Sequence, residues 1–376
     1  MDFGSSLSFN TVTVAIVVVL LILLVSRTLQ WSANVPPGPS GYPIIGSMPL
    51  LRKGNILEIF RKLRAQYGDV FSIKIGPNLA VVINGADALK EAFVKRADEF
   101  SDRPSNYFIV QYMINVKKLI QNFTDIKCFA LEQIAEHRKT FAEENQRDFI
   151  DAFLRQQIKH DEDDPIFDDM NLATVVINLF LAGTETTATM IRWAILYLIH
   201  NKPIQDKLRQ EIETVIGTSR LPSLCDKPSM PYYEAFITEV FRMGNIAPLS
   251  VPHGAKKDIQ FRGRLIPKGS VIMANLDSVM TDPDLFENPD KFQPERFLGK
   301  DGQMNGKERT VMAFSLGRRI CLGESLARLE LFLFLTSLLQ RFEFLPESPD
   351  KLPSFDSTLG VARASTDYKC CAVKLK

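Results

Sequence analysis

Apolar residues first gather in one unbroken run. From Phe3 to Ser26 the chain carries no charge, and the centre of that stretch reads VTVAIVVVLLILLV. About 24 helical residues span about 36 Å, enough for a hydrocarbon core of about 30 Å. No basic residue precedes the run and no small-residue cleavage motif follows it, so it reads as an uncleaved anchor rather than a signal peptide. Asp2 before it and Arg27 after it place the body of the protein in the cytosol. The next segment, PPGPSGYPIIG (Pro36 to Gly46), forbids a helix and predicts a stiff, extended connector. The expected organisation is a membrane anchor over residues 1–35 and one globular domain over 36–376.

Beyond the connector, apolar spacing predicts a helix from Asn55 to Gln66. A hairpin follows in DVFSIKIGPNLAVVIN, turning around Gly76, Pro77 and Asn78, and then a short helix from Ala86 to Arg96. From about Lys117 the pattern is mostly helical. Amphipathic stretches cover Ile126 to Thr140 and Arg147 to Lys159. A long apolar helix from Met170 to His200 is expected to cross the core. Further helices are expected over Pro203 to Ile216, Pro231 to Met243 and Leu322 to Phe342. Short strands return between Ile259 and Ala274, and the tail YKCCAVKLK alternates like an edge strand. The fold class is therefore mainly α with a small β region, an α+β architecture.

Composition narrows the function classes. The chain has 376 residues, 45% hydrophobic and 24% charged, with a formal net charge of +1. That charge gives no footprint for nucleic acid. The five cysteines, Cys128, Cys225, Cys321, Cys370 and Cys371, show neither disulfide spacing nor paired zinc motifs, which suits a reducing compartment.

Four stretches carry candidate chemistry. In FSLGRRICLG, Cys321 follows Arg318 and Arg319 and directly precedes a helix, two settings that favour a thiolate. Gly317 and Gly323 let the backbone approach something flat. One thiolate without neighbouring ligands is poor for zinc, which takes four, and suits haem iron, whose porphyrin already supplies four. A phosphatase-type nucleophile would place an arginine six residues on, whereas the next one is Arg328. A buried core cysteine would leave Phe314, Gly317, Arg319 and Gly323 unexplained. The second stretch, AGTETT (Ala182 to Thr187), puts a glycine and three threonines inside a long helix, where each is a poor helix former. A threonine hydroxyl there can bond the carbonyl one turn back, and Ala182 and Gly183 leave room beside it. The third, Glu239-x-x-Arg242, puts opposite charges on one helix face amid apolar neighbours. A buried pair of this kind must be satisfied. The fourth is Pro294-Glu295-Arg296-Phe297.

The pattern Phe314-x-x-Gly317-x-Arg319-x-Cys321-x-Gly323 resembles the haem-binding signature of the cytochrome P-450 superfamily at every defined position. The anchor, the Pro36-Pro37-Gly38-Pro39 hinge and the later segments are similar to microsomal members of its family 2. The resemblance implies haem b held by the Cys321 thiolate, with Phe314, Gly317, Arg319, Gly323, Ala182 and Gly183 around the cofactor. It implies that Glu185 and Thr186 manage proton delivery to bound dioxygen. By the same resemblance His253 and Arg319 serve the haem propionates, and Glu239, Arg242 and Arg296 form a structural triad. Ile246, Ala247, Leu249, Val251, Leu359 and Val361 match substrate-contacting segments. The implied reaction inserts one atom of O2 into a hydrophobic fatty acid, steroid or xenobiotic. Electrons would come from an NADPH-dependent reductase, with cytochrome b5 a further candidate, because no dinucleotide motif is present. The implied location is the endoplasmic reticulum membrane, catalytic domain towards the cytosol.

The chain departs from the family after EFSDRPSNYF. The expected variable loop and several helices, one carrying Trp-x-x-x-Arg, are missing. Only Trp31 and Trp193 occur, and neither stands in that pattern. About a hundred residues of the family pattern, at 11–12 per helix plus connections, are missing from this chain near 105–120. A non-catalytic or poorly haem-binding short form is the alternative expectation. A soluble cysteine hydrolase is disfavoured by the anchor and by the lack of a Cys–His pairing signature.

Overall fold

The structure is a computed structural model that describes residues 13–14, 16–20, 34–42, 44–104, 116–160, 166–360 and 362–375. Within the expected anchor, residues 13–14 and 16–20 are helical; the rest of the span lies outside the described residues, as does most of the expected deletion region. The body divides into two compact units, each assembled from two stretches of chain: residues 1–105 with 230–322, and 106–229 with 323–376.

The first unit is a small sheet with helices on both faces. Helix α1 (Met48–Leu51) and helix α2 (Ile56–Tyr67) precede the hairpin of β1 (Val70–Ile75) and β2 (Asn78–Ile83). Asn55 caps α2 by accepting from the Leu57 N–H at 2.9 Å. The hairpin pairs antiparallel from Val70–Ile83 to Ile75–Asn78. β2 continues into a parallel pairing with β6 (Val271–Ala274), which pairs antiparallel with β3 (His253–Gly254). Alternate residues of β2 serve different cores. Leu79, Val81 and Ile83 join Phe93, Phe100, Phe261 and Ile272, whereas Ala80 and Val82 join Phe60, Leu63, Phe71 and Met273. Burial on both faces explains why LAVVI reads as an unbroken apolar run. The hairpin of β4 (Ile259–Phe261) and β5 (Arg264–Ile266), helix α9 (Pro231–Gly244) and the short α10 (Asp277–Met280) complete this unit.

One expected helix is broken. Where a single helix over Ala86 to Arg96 is predicted, the chain forms α3 (Ala86–Lys90), a wide π-turn (Glu91–Lys95) and α4 (Ala97–Phe100). The Arg96 N–H reaches back five residues to the Glu91 carbonyl, at 3.0 Å. The turn holds one residue more than an α-helix allows, and apolar periodicity does not register such an insertion.

The second unit is helical. It contains α5 (Val116–Lys139), α6 (Phe149–Gln157), α7 (Asp169–His200), α8 (Lys202–Val215) and α11 (Glu324–Arg341). Helix α5 begins about ten residues before the predicted start, and α11 begins two after it. The strand pairs β7 (Phe342–Pro346) with β10 (Cys370–Lys374), and β8 (Ser357–Leu359) with β9 (Arg363–Ser365), are both antiparallel. The tail thus forms the strand its alternation predicts.

Helix α7 changes character along its length. Its carboxyl-terminal half is core: Met190, Trp193, Ala194, Leu196 and Leu198 are all buried. The Trp193 indole donates to the Arg363 carbonyl at 3.1 Å. Its amino-terminal half packs against α5 and α6 through Leu172, Ala173 and Ile177, but Leu179, Phe180 and Leu181 are exposed, Phe180 by 65%. The expected core-crossing helix is therefore mostly buried only in its second half.

Candidate active site

The cysteine loop belongs to the first unit. Its backbone is held in a compact turn: the Cys321 N–H donates to the Phe314 carbonyl at 2.9 Å, and the Ile320 N–H to the Gly317 carbonyl at 3.1 Å. The Phe314 ring meets Phe241 of α9 edge-on at 4.9 Å, which fixes the loop's first residue. Gly317 adopts φ +74°, a conformation that favours glycine. A Cβ there would stand 1.8 Å from the Phe93 carbonyl oxygen, so close packing on the π-turn is what demands glycine. At the other end Cys321 is exposed, and the Leu322 side chain is 95% exposed. The thiol thus stands at an exposed position on a hydrogen-bonded loop.

The two arginines before Cys321 have partners of their own. Arg318 pairs with Asp98 at 2.6 Å, and the Arg319 Nε donates to the Ser101 carbonyl at 2.9 Å. The second contact ties the loop to the segment Phe100 to Pro104, which organises a cationic cluster. The His253 Nδ1 lies 2.7 Å from the Phe100 carbonyl, and the Gly254 N–H donates to the Asp102 carbonyl at 2.9 Å. Arg103 donates to the Val251 and Pro252 carbonyls, both at 2.9 Å. Burial, then the Arg103 charge, and finally Arg319 push the His253 imidazole down to about 4, against the opposing pull of the Phe100 carbonyl. The ring is therefore neutral near pH 7. Because a carbonyl only accepts, Nδ1 carries the proton and Nε2 is a bare acceptor. Arg103 is the member of this cluster that sequence reasoning missed. Its only signal was DRP, a short motif with no distinguishing spacing.

Glu239, Arg242 and Arg296 meet in the same unit. Arg242 grips Glu239 with two parallel bonds, Nε to Oε2 at 2.7 Å and Nη2 to Oε1 at 2.8 Å. The Arg296 Nε and the Gln293 N–H add contacts to Oε1 at 3.1 and 2.9 Å. Glu239 is fully buried and Arg242 is 1% exposed. The surplus positive charge is spread over carbonyls: Arg242 donates to Met280, and Arg296 donates to Glu287, Asn288 and Lys291. The cluster staples α9 to the Pro294–Phe297 turn.

Of the substrate-segment residues, Ile246 is half-buried and Ala247 exposed. Leu249 packs against the core of the sheet, and Val251 is 50% exposed. Leu359, in the second unit, is 42% exposed, and Val361 lies outside the described residues.

The AGTETT stretch sits midway along α7 in the second unit. Thr184 and Thr186 each donate to the carbonyl one turn back, Phe180 at 2.7 Å and Ala182 at 2.6 Å. The Glu185 carboxylate is exposed and lies 3.5 Å from the Thr189 hydroxyl. Glu185 and Thr186, adjacent in sequence, therefore point about 100° apart around the helix. A Cβ on Gly183 would meet nothing within 4 Å. That glycine opens onto a cavity of about 570 Å³ bounded by Phe180, Thr187, Leu326, Glu330 and Phe334. At its floor the Thr187 hydroxyl donates to the Glu330 carboxylate at 3.2 Å.

The donor set tests which metal group the cysteine could serve. Among the described residues, one group of three potential metal-ligating side chains occurs, His137 with Asp148 and Asp151, and Cys321 is not in it. In that group the Asp151 carboxylate is already taken by Arg147, through Nε at 2.6 Å and Nη2 at 2.8 Å. An exposed thiol on a loop whose Arg319 is tied to the Phe100–Pro104 segment, where Arg103 and His253 gather, fits an iron carried in a macrocycle with acidic side groups.

Comparison with known proteins agrees with that chemistry. The family model described as cytochrome P450 matches residues 36–119 and 106–372. Cytochrome P450 2E1 of Oryctolagus cuniculus is 29% identical over 487 aligned residues, covering 96% of this chain and 98% of that protein. Cytochrome P450 2D4 of Rattus norvegicus is 30% identical, covering 95% and 96%. Cytochrome P450 2J2 of Homo sapiens is 43% identical over 256 residues, 68% of this chain and 50% of that protein. The 487 aligned positions exceed the 376 residues available, so on the order of a hundred positions of that relative lack a counterpart here. The two stretches matched by the family model meet at 106–119, where the sequence departs from the family pattern.

Proposed function

The chain belongs to the cytochrome P450 family of haem-thiolate monooxygenases, and from that premise we propose a division of roles among its residues. Cys321 would supply the thiolate that holds haem iron. The observation that carries this is the outward-facing thiol on a loop held by the Phe314 carbonyl, with a cationic cluster beside it. When bound, the thiolate-ligated haem supplies the reductive activation of O2. Arg319, Arg103 and His253 receive its acidic side groups. A carboxylate brought to the bare His253 Nε2 is an acceptor meeting an acceptor, so that pair must carry one shared proton. Phe314, Gly317 and Gly323 shape the loop. Ala182 and Gly183 leave space beside α7. The Thr186 hydroxyl, now donating to Ala182, retains lone pairs for a water or for dioxygen, and the exposed Glu185, which faces another side of α7, would relay bulk protons to it only through intervening water. Glu239, Arg242 and Arg296 hold the scaffold and touch no substrate.

The proposed substrate is hydrophobic, a fatty acid, steroid or xenobiotic, because the matching segment offers Ile246, Ala247, Leu249, Val251 and Leu359. The proposed electron source is an NADPH-dependent reductase, with cytochrome b5 as an auxiliary, at the endoplasmic reticulum membrane. Anchoring through Phe3 to Ser26 predicts that the protein resists alkaline carbonate extraction; release into the supernatant would contradict a spanning helix. The principal test is Cys321→Ala. It is expected to abolish the thiolate-type carbonyl difference spectrum, and its persistence would overturn the assignment.

A second reading, a poorly haem-binding short form, is favoured by one observation: Leu179, Phe180 and Leu181 are exposed on α7 in a chain lacking on the order of a hundred family positions. Restoring those helices from a relative should raise haem content and turnover. Equal values in both proteins would end this reading.

A further inference from the structure

We infer that Phe93 and the π-turn carrying it are the positioning device for the cysteine ligand, acting at once on the Cys321 loop and on His253. The inference rests on Cys321 being the haem ligand and concerns what sets its geometry.

Phe93 makes two contacts with two different parts of its molecule. Its carbonyl oxygen occupies the place where a Cβ of residue 317 would be, 1.8 Å from that ideal position. Gly317 opens the turn whose hydrogen bonds present Cys321, through Ile320 N–H to Gly317 and Cys321 N–H to Phe314. The Phe93 backbone thus abuts the residue at which that turn begins. The Phe93 ring, 2% exposed, packs against the imidazole of His253 with centroids 4.7 Å apart and planes at 56°. It also meets Phe100 edge-on at 5.9 Å, the residue whose carbonyl holds the His253 Nδ1. One side chain thus fixes the imidazole face, and the same residue's backbone fixes the thiol loop.

The π-turn makes this a built feature. The five-residue hydrogen bond from Arg96 to Glu91 shows one extra residue in an otherwise α-helical stretch, and such insertions recur at functional positions. Within the turn the Val94 side chain is 53% exposed, so its removal takes little from the core. Removing one residue returns the turn to α-helical register while leaving α3 and α4 intact in sequence. What it displaces is the Phe93 carbonyl.

The test uses the full-length chain titrated with hemin, followed by reduction and carbon monoxide. The variants are Phe93→Ala, Phe93→Leu, deletion of Val94, and Val94→Ala as control, each checked for helicity by circular dichroism. Residues that orient a metal ligand from outside typically matter about 10–100-fold in affinity. Phe93→Ala, which removes the ring packed on His253, is expected to weaken hemin binding by about that factor, and the deletion, which moves the carbonyl beside Gly317, is expected to do so and also to convert the thiolate-type carbonyl band towards the neutral-thiol type. Phe93→Leu should fall between these and the parent, and Val94→Ala should match the parent. Should Phe93→Ala or the deletion lose helicity, Phe93→Leu alone decides by its hemin affinity. Parental affinity and an unchanged band in folded Phe93 and deletion variants would overturn the inference while leaving Cys321 as ligand. A thiolate band that survives Cys321→Ala, or a parent chain without one, would instead overturn the ligand assignment and this inference with it.

Discussion

Replacing Glu239 with Gln should be the most damaging single-atom change in the first unit. The Glu239 carboxylate is fully buried and accepts four hydrogen bonds, three of them from guanidinium groups. Gln keeps the shape but offers one acceptor oxygen and turns an NH2 towards an arginine. Two guanidinium groups are then left without a counter-ion, one of them on a side chain that is 1% exposed. Breaking a buried pair from one side costs about 3–5 kcal/mol. For a body of 150–250 residues each kcal/mol corresponds to about 2–4 °C, so the melting temperature should fall by about 6–20 °C. Calorimetry with circular dichroism as a second probe measures it. Glu239→Leu combined with Arg242→Met removes charge on both sides and should destabilise less than Glu239→Leu alone. A Glu239→Gln protein melting within a degree or two of the parent, or a double variant worse than the single one, would refute the account of the triad as a mutually compensated buried charge.

Two further outcomes are expected. Both His137 ring nitrogens face acceptors, the Gln133 carbonyl and the Asp148 carboxylate, each at 2.7 Å; burial opposes the imidazolium, but those two partners outweigh it and raise His137 above its ordinary 6.5. The stabilisation is therefore complete below about pH 6.5 and is lost as pH rises through the raised value; urea midpoints should decline there, and His137→Gln should flatten the profile, whereas an unchanged slope in that variant would exclude the pair as its source. Thr186→Ala, at a half-buried helix position, should shift stability by about 0.5 kcal/mol or less and retain haem, yet release peroxide in place of product; full coupling of NADPH oxidation to product would count against a role in oxygen activation.

The local chemistry of this protein was written in its sequence because it depends on neighbours along the chain. FSLGRRICLG and AGTETT could be read as chemistry because a ligand loop and a helix distortion use consecutive residues. The hairpin was legible from two apolar stretches flanking Gly76, Pro77 and Asn78, and α7 and α11 from apolar periodicity. The partner of Arg296 became legible only through the family resemblance, since 57 residues separate it from Glu239. What the tertiary structure decided was everything fixed by distant contacts. Gly317 looked like a glycine cleared for a cofactor; its Cβ space is filled by the carbonyl of Phe93, more than two hundred residues earlier. Arg318 and Arg319 looked like charges for the thiol; they are engaged by Asp98 and by Ser101. Arg103 drew no notice until the fold laid Phe100 to Pro104 beside His253. The π-turn escaped because its one added residue leaves the apolar pattern of Ala92 and Phe93 intact. Periodicity reports which side of an element is buried, whereas only the folded chain determines which atom from elsewhere occupies the space left beside it.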